Sequence, residues 1–325
     1  MSMTNVLAGD VGGTSTRLGV FDLSSSRPRA VAARTFRTLD FGDLSAMIST
    51  FLDSDARAAS IAAACFGVAG PVTGDVADLT NVPWRVQAKR IAAAFGFAHV
   101  SLLNDLEAMA YAVPVLADGE VRVLQEGRPV PKGNVAIIAA GTGLGQAILH
   151  EVDGRYRARA TESGHADFAA RTERDIAVLR DVSKRNGRAS VEDVVSGPGL
   201  ANIFRAVHDG TCDAGVDVDS ARAAEAISTA ALGGACRRCV GVLDLFVEAY
   251  GAEAGNLALR SVATGGVFVG GGIAPKILPA LESGRFLAAF RAKAPFEKRL
   301  DAMPVKVILN SEAGLLGAAN FCSLS

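Results

Sequence analysis

Asn104 and Asp105 stand side by side in "AHVSLLNDLEAMA" (98–110), where one apolar run stops and a second begins. A carboxylate there can act as a general base or orient a ligand hydroxyl, and the neighbouring amide can both donate and accept. The same pair can also cap a helix, because Asn and Asp satisfy the free N–H groups of a first turn. His99 to Leu103 alternates and is β-prone, while Leu106 to Val113 carries apolar residues at helical spacing. The pair is therefore placed at the carboxyl end of a strand, where open α/β sheets bind their ligands.

A second chemistry-bearing stretch is "GDVGGTSTR", with Gly9, Asp10, Val11, Gly12, Gly13 and Thr14. Glycines let backbone N–H groups approach an anion closely, and the Thr hydroxyl adds a donor. Asp10, at a strand end, suits a hydrated Mg²⁺ on phosphates. A strand follows this turn, so it is neither a P-loop nor a dinucleotide fingerprint feeding a helix. A plain hairpin turn is the alternative reading. "AAGTGLG", with Gly141, Thr142 and Gly143, has the same strand-turn-strand layout, and "GGVFVGGGIAPK" supplies a third turn at Gly270, Gly271 and Gly272. Three such turns in one chain suggest a nucleotide clamped between two lobes.

The positioning elements follow from periodicity. Strands are expected at 5–10, 16–22 and 30–37, a helix at Leu44 to Leu52, a buried strand in "IAAACFGVAG", and a helix at Val86 to Phe95 before the strand that ends at Asn104. Residues 117–133 carry charges, Pro and Gly and mark a boundary. The expected division is a small α/β domain of residues 1–116 with 306–325, and a large one of 117–305. "SEAGLLGAANF" (311–321) reads as a small-residue helix that packs back onto the first domain.

With 325 residues, half of them hydrophobic, the chain can fill two cores. A net charge of −1 and the lack of a basic tract argue against a nucleic-acid partner. The longest apolar stretches are broken by Gly, Thr and Gln, so no membrane span is expected. No basic leader opens the sequence, which predicts a cytoplasmic protein. Five cysteines, an odd and scattered number, suit reduced thiols. Cys236 and Cys239 form a C-x-x-C, but no further ligand stands at fitting spacing nearby, so they read as small helix residues rather than a zinc site.

In order along the chain, "GDVGGT", "TNVPW", "LLNDLEA", "AAGTGLG", "ESGHADF", "VVSGPGL", "GGVFVGGGI" and "EAGLLGAA" resemble the motifs of bacterial ATP-dependent glucokinases, within the sugar kinase, Hsp70 and actin superfamily. The resemblance covers essentially the whole chain. It implies a two-lobed actin-like (ribonuclease H-like) α/β fold, each lobe a mixed sheet flanked by helices with a cleft between, and the phosphorylation of D-glucose by MgATP. By this resemblance Asp105 is the base for the sugar 6-hydroxyl, and Asn104, Glu162, His165, Glu192 and Asn81 are sugar contacts. The turns at 12–14 and 141–143 hold phosphates, and 270–272 lies on the adenosine side. Relatives are often dimers, which implies a homodimer.

Ser15 departs from the pattern, since the family usually has Asn there; the turn should survive while a side-chain contact is lost. A related group, the "repressor, ORF, kinase" family, carries a Cys-rich zinc motif soon after its E-x-G-H, and no such cluster follows His165, which places this chain outside it. Two alternatives remain at this stage: a kinase for mannose, fructose or an amino sugar, or a non-catalytic sugar sensor on the same fold.

Overall fold

The structure, a computed structural model, describes residues 5–53, 61–80 and 82–324. Two compact units emerge: Met1–Ala117 with Val152–Ala160 and Asn310–Ser325, and Asp118–Glu151 with Thr161–Leu309.

In the first unit, β1 (Asn5–Val11), β2 (Ser15–Asp22) and β3 (Arg29–Arg37) form an antiparallel meander, as their alternation and tight turns require. Helix α1 (Leu44–Leu52) starts on an Asp43 cap, whose side chain accepts the Ala46 N–H, and buries Leu44, Met47, Ile48 and Phe51. It leads to β4 (Ile61–Val68), which pairs in parallel with β1. Short strands β5 (Val72–Thr73), β6 (Val76–Asp78) and β7 (Arg85–Gln87) make a small separate sheet. Helix α2 (Ala88–Phe95) therefore starts two residues later than its periodicity suggests, because Val86 pairs with Ala77 in that sheet. Strand β8 (His99–Asn104) joins β4 in parallel, and α3 (Asp105–Ala112) follows without a break. The sheet order is β3-β2-β1-β4-β8, a mixed sheet. Its core includes Leu7, Val20, Ile48 and Phe66. Trp84 is buried in this core.

The second unit contains β9 (Val121–Gln125), β10 (Val135–Ala140) and β11 (Leu144–Val152). Strand β12 (Arg155–Thr161) lies almost wholly in the Val152–Ala160 segment of the first unit, where the Ala158 N–H donates to Tyr111 Oη at 3.2 Å. Helices α4 (Glu173–Asn186), α5 (Gly197–Val207), α6 (Ala223–Leu232) and α7 (Arg237–Ser261) then precede β13 (Gly266–Gly270). Short helices α8 (Leu278–Leu281), α9 (Arg285–Arg291) and α10 (Glu297–Asp301) lead to β14 (Val305–Ile308). Within this unit the strands run β11-β10-β13-β14-β9, with β10, β13 and β14 parallel. The return to the first unit starts at Asn310, because β14 is hydrogen-bonded into the second sheet.

Helix α11 (Ala313–Leu324) packs on α3 in the first unit, as its small residues foretell. A side chain at Gly317 would collide with the Ala108 carbonyl, so this close helix approach needs the glycine. No described helix is long and apolar enough to cross a membrane.

Candidate active site

The first unit gathers its polar groups at the carboxyl ends of β1, β4 and β8. Asp10 is in register with Gly67, which in turn faces Leu103, so one glycine on β4 separates the β1 and β8 strand ends. A Cβ at Gly67 would lie 2.6 Å from that of Ala108, so the glycine admits α3 against the sheet. Asp10 is held on its other side by α11, where a Cβ at Gly314 would sit 3.1 Å from the Asp10 carboxylate. Burial pushes the Asp10 carboxyl above its ordinary value, opposed by the charge of Arg17.

Asn104 caps α3, as the capping reading of the pair expects. Its Oδ1 accepts the Leu106 N–H at 2.9 Å, Nδ2 donates to the Gly70 carbonyl at 3.4 Å, and Glu107 completes a capping box through the Asn104 N–H. Asp105 is the first helical residue and its Oδ1 shares the same Leu106 N–H at 2.9 Å. Burial raises the Asp105 carboxyl to about 6; the Leu106 N–H opposes the rise and the Asp10 charge adds to it. A helix N-terminus alone would favour the ionised form. Desolvation outweighs it here, and the group ends poised near neutrality.

The turn after β1 keeps hairpin geometry with Ser15 in place: the Gly12 N–H donates to the Ser15 carbonyl at 3.1 Å. Thr38 fastens it from β3's end, donating from Oγ1 to the Gly12 carbonyl at 2.7 Å. A Cβ at Gly12 would stand 2.8 Å from the Ser15 oxygen, so this position requires glycine. Asn81 lies outside the described residues.

In the second unit the glycine turns converge. The Gly141 N–H donates to the Gly143 carbonyl at 2.8 Å, and the Gly141 carbonyl accepts the Gly197 N–H, at the start of α5, also at 2.8 Å. Gly271, at φ +83°, lies so near the Ala140 carbonyl that no side chain fits. Tyr250 braces both turns from α7. Its hydroxyl accepts the Ala140 N–H at 3.2 Å and lies 3.2 and 3.3 Å from the Ile138 and Gly270 carbonyls.

A cavity of about 630 Å³ opens between these turns, lined by Gly141, Thr142, Gly272, Pro198, Ala224 and Ile277 among others. That size and the apolar walls suit a nucleoside. Arg205, Asp219, Arg222, Glu225 and Lys276 also border it. Sequence reasoning did not single out these five: Arg205, Asp219, Arg222 and Glu225 lie in ordinary helices or loops, and Lys276 ends the quoted "GGVFVGGGIAPK", where only the glycines drew attention.

Glu162 and His165 sit on one short turn, both exposed, with the His165 N–H donating to the Glu162 carbonyl at 3.0 Å. Glu192 ties that turn to the second glycine turn. Its N–H donates to the Gly164 carbonyl at 2.9 Å, and its Oε2 accepts the Leu144 N–H at 2.7 Å. Its Oε1 has no hydrogen-bond partner among the described residues. The expected groups are therefore divided: Asn104, Asp105 and Gly9 to Thr14 belong to the first unit, and Gly141 to Gly143, Glu162, His165, Glu192 and Gly270 to Gly272 to the second.

The glucokinase family model matches residues 7–324. A curated glucokinase of Nostoc punctiforme is 38% identical over 336 aligned positions, covering 98% of each chain. The crystal structure of a glucokinase from an Antarctic psychrotroph superposes with a TM-score of 0.86 at 31% identity, covering 99% of each chain. A ROK-family glucokinase of Streptomyces griseus, crystallised with glucose and AMPPNP, shares the fold with a TM-score of 0.63 at 22% identity over 99% of this chain and 100% of that one. Together with the two-unit α/β architecture and the converging glycine turns, these likenesses show that the chain belongs to the glucokinase family, enzymes that phosphorylate glucose with ATP.

Proposed function

We propose that Asp105 takes the proton of the glucose 6-hydroxyl as that oxygen attacks the γ-phosphate of ATP in line. The observation that carries this reading is the Asp105 carboxyl, held near 6 at the first turn of α3. A base with this value is ionised at neutral pH and still takes up a proton readily. Phosphoryl transfer otherwise asks mainly for positioning and charge neutralisation.

Asn104, Glu162, His165, Glu192 and Asn81 orient the sugar in this reading. Carboxylates and amides that pair with adjacent hydroxyls of a bound sugar penalise one that leaves a partner unpaired. Gly12 to Thr14 and Gly141 to Gly143 hold phosphates, and Gly270 to Gly272 forms the adenosine-side turn, of which Gly272 lines the second-unit cavity.

Asp10 fits Mg²⁺ through water: its carboxylate has no hydrogen-bond donor among the described residues, is desolvated, and has the negative Asp105 near it. When bound with ATP, Mg²⁺ supplies positive charge to the phosphates. An ADP-release assay over glucose, mannose, fructose and glucosamine, each with ATP, ADP and polyphosphate, tests the assignment. Glucose with ATP should give the highest kcat/KM; a higher value for another hexose or donor would reassign the substrate.

A further inference from the structure

We propose that His208, Cys212, Cys236 and Cys239 form a binding site for a structural Zn²⁺ in the second unit. The sequence shows only the C-x-x-C, with no partner at a familiar spacing. The fold supplies the missing neighbours: the end of α5 and the loop after it bring an imidazole and a third thiol to the start of α7.

The four donor atoms all lie within 4.8 Å of one another. Tetrahedral zinc, with Zn–S near 2.3 Å and Zn–N near 2.0–2.1 Å, requires S···S of about 3.8 Å and S···N of about 3.6 Å. Cys212 Sγ and Cys239 Sγ are 3.7 Å apart, and Cys236 Sγ is 3.5 Å from His208 Nε2. The remaining pairs need to close by at most about 1.2 Å to reach these values.

The surroundings are those of a built site. Phe204 stacks on the His208 ring, centroids 4.0 Å apart and 21° from parallel, which fixes the imidazole. Arg238 donates to the Thr211 carbonyl at 2.7 Å and holds the loop that carries Cys212. Cys236 is the N-cap of α7, a helix of 25 residues, whose positive end favours thiolates. Cys236 and Cys239 are buried while His208 and Cys212 are half-buried, which leaves an entry side for the ion. On binding, the three thiols release their protons to water and the neutral imidazole coordinates through Nε2. The ion would staple α7 to the beginning of the loop whose later residues, Val218 to Arg222, line the nucleotide cavity.

Metal analysis of the full chain, produced in zinc-supplemented cells and purified without chelator, tests this. About one zinc per chain is expected, and less than about a tenth in the Cys236→Ala, Cys239→Ala double variant. Cys322→Ala, which alters a cysteine outside the cluster, should retain it. Should the double variant not fold, protein grown in cobalt-supplemented minimal medium answers directly: thiolate-to-cobalt charge transfer and strong tetrahedral d–d bands are expected. The proposal is overturned by zinc below about a tenth per chain. It is equally overturned by a thiolate-free, six-coordinate cobalt spectrum, or by a mass two hydrogens lighter that traces to a disulfide within the cluster.

Discussion

Glu192 Oε2 accepts the Leu144 N–H at 2.7 Å, so the carboxylate expected to meet sugar also holds the exit of the second glycine turn. Glu192→Ala should leave that N–H unpaired, lowering stability by about 1–3 kcal/mol, and raise the glucose KM by about tenfold or more. Glu192→Gln keeps an acceptor for Leu144 and should retain the stability while losing the charge. Gly143→Ala should resemble Glu192→Ala, since its Cβ would fall 2.5 Å from Glu192 Oε2. Chemical denaturation and glucose saturation curves separate the two effects.

The raised Asp105 carboxyl has a stability consequence of definite sign. Its value is about 6 in the folded chain against 3.8 for the free side chain, so folding favours the protonated form. The contribution is fully present below about pH 4 and lost as pH rises through about 6. Asp105→Asn should therefore exceed the parent in stability at pH 7.5 by about 3 kcal/mol, and the two should converge below pH 4. Thermal melts across this range check it; a variant less stable at pH 7.5 would contradict the desolvation account.

Tyr250 joins two strand ends through one hydroxyl. Tyr250→Phe leaves the Ala140 N–H without that acceptor and should cost about 1–3 kcal/mol. The KM for ATP should rise, with the glucose KM within about twofold. Substrate-saturation curves for each ligand provide the comparison.

Ala224 lines the second-unit cavity. Ala224→Phe should fill it and raise the KM for ATP by about tenfold or more, leaving glucose binding by calorimetry unchanged. Equal loss of both ligands would move the nucleotide elsewhere.

Legibility in the sequence tracked the range of the interactions. Helix α1 was readable to both ends because Asp43 and the spacing of Leu44, Met47, Ile48 and Phe51 are local signals. The glycine turns were readable in part because a close backbone approach at Gly12 and a positive φ at Gly271 restrict the residue type. Tyr250 was not, since its partner Ala140 lies 110 positions away and a tyrosine in a helix ordinarily reads as core. The Glu192 brace spans 48 positions, and its sequence context suggested a ligand contact or an exposed carboxylate before a turn, not a brace. Cys212 and Cys239 are 27 apart, so only the fold shows that the C-x-x-C has company. For Asp105 the position was legible but the balance of its electrostatics was not: the helix terminus is a local feature, whereas burial depends on the packing of α3 against the sheet through Gly67.

The most direct test of Asp105 as the base is the pH dependence of turnover in the parent beside the Asp105→Ala variant, with glucose binding measured on both. The parent kcat/KM should fall below a limb near pH 6. The variant should lose about 10²–10⁴ in kcat, without that limb and with glucose affinity within about tenfold. A variant that keeps near-parental kcat, or retains the limb near 6, would contradict the account.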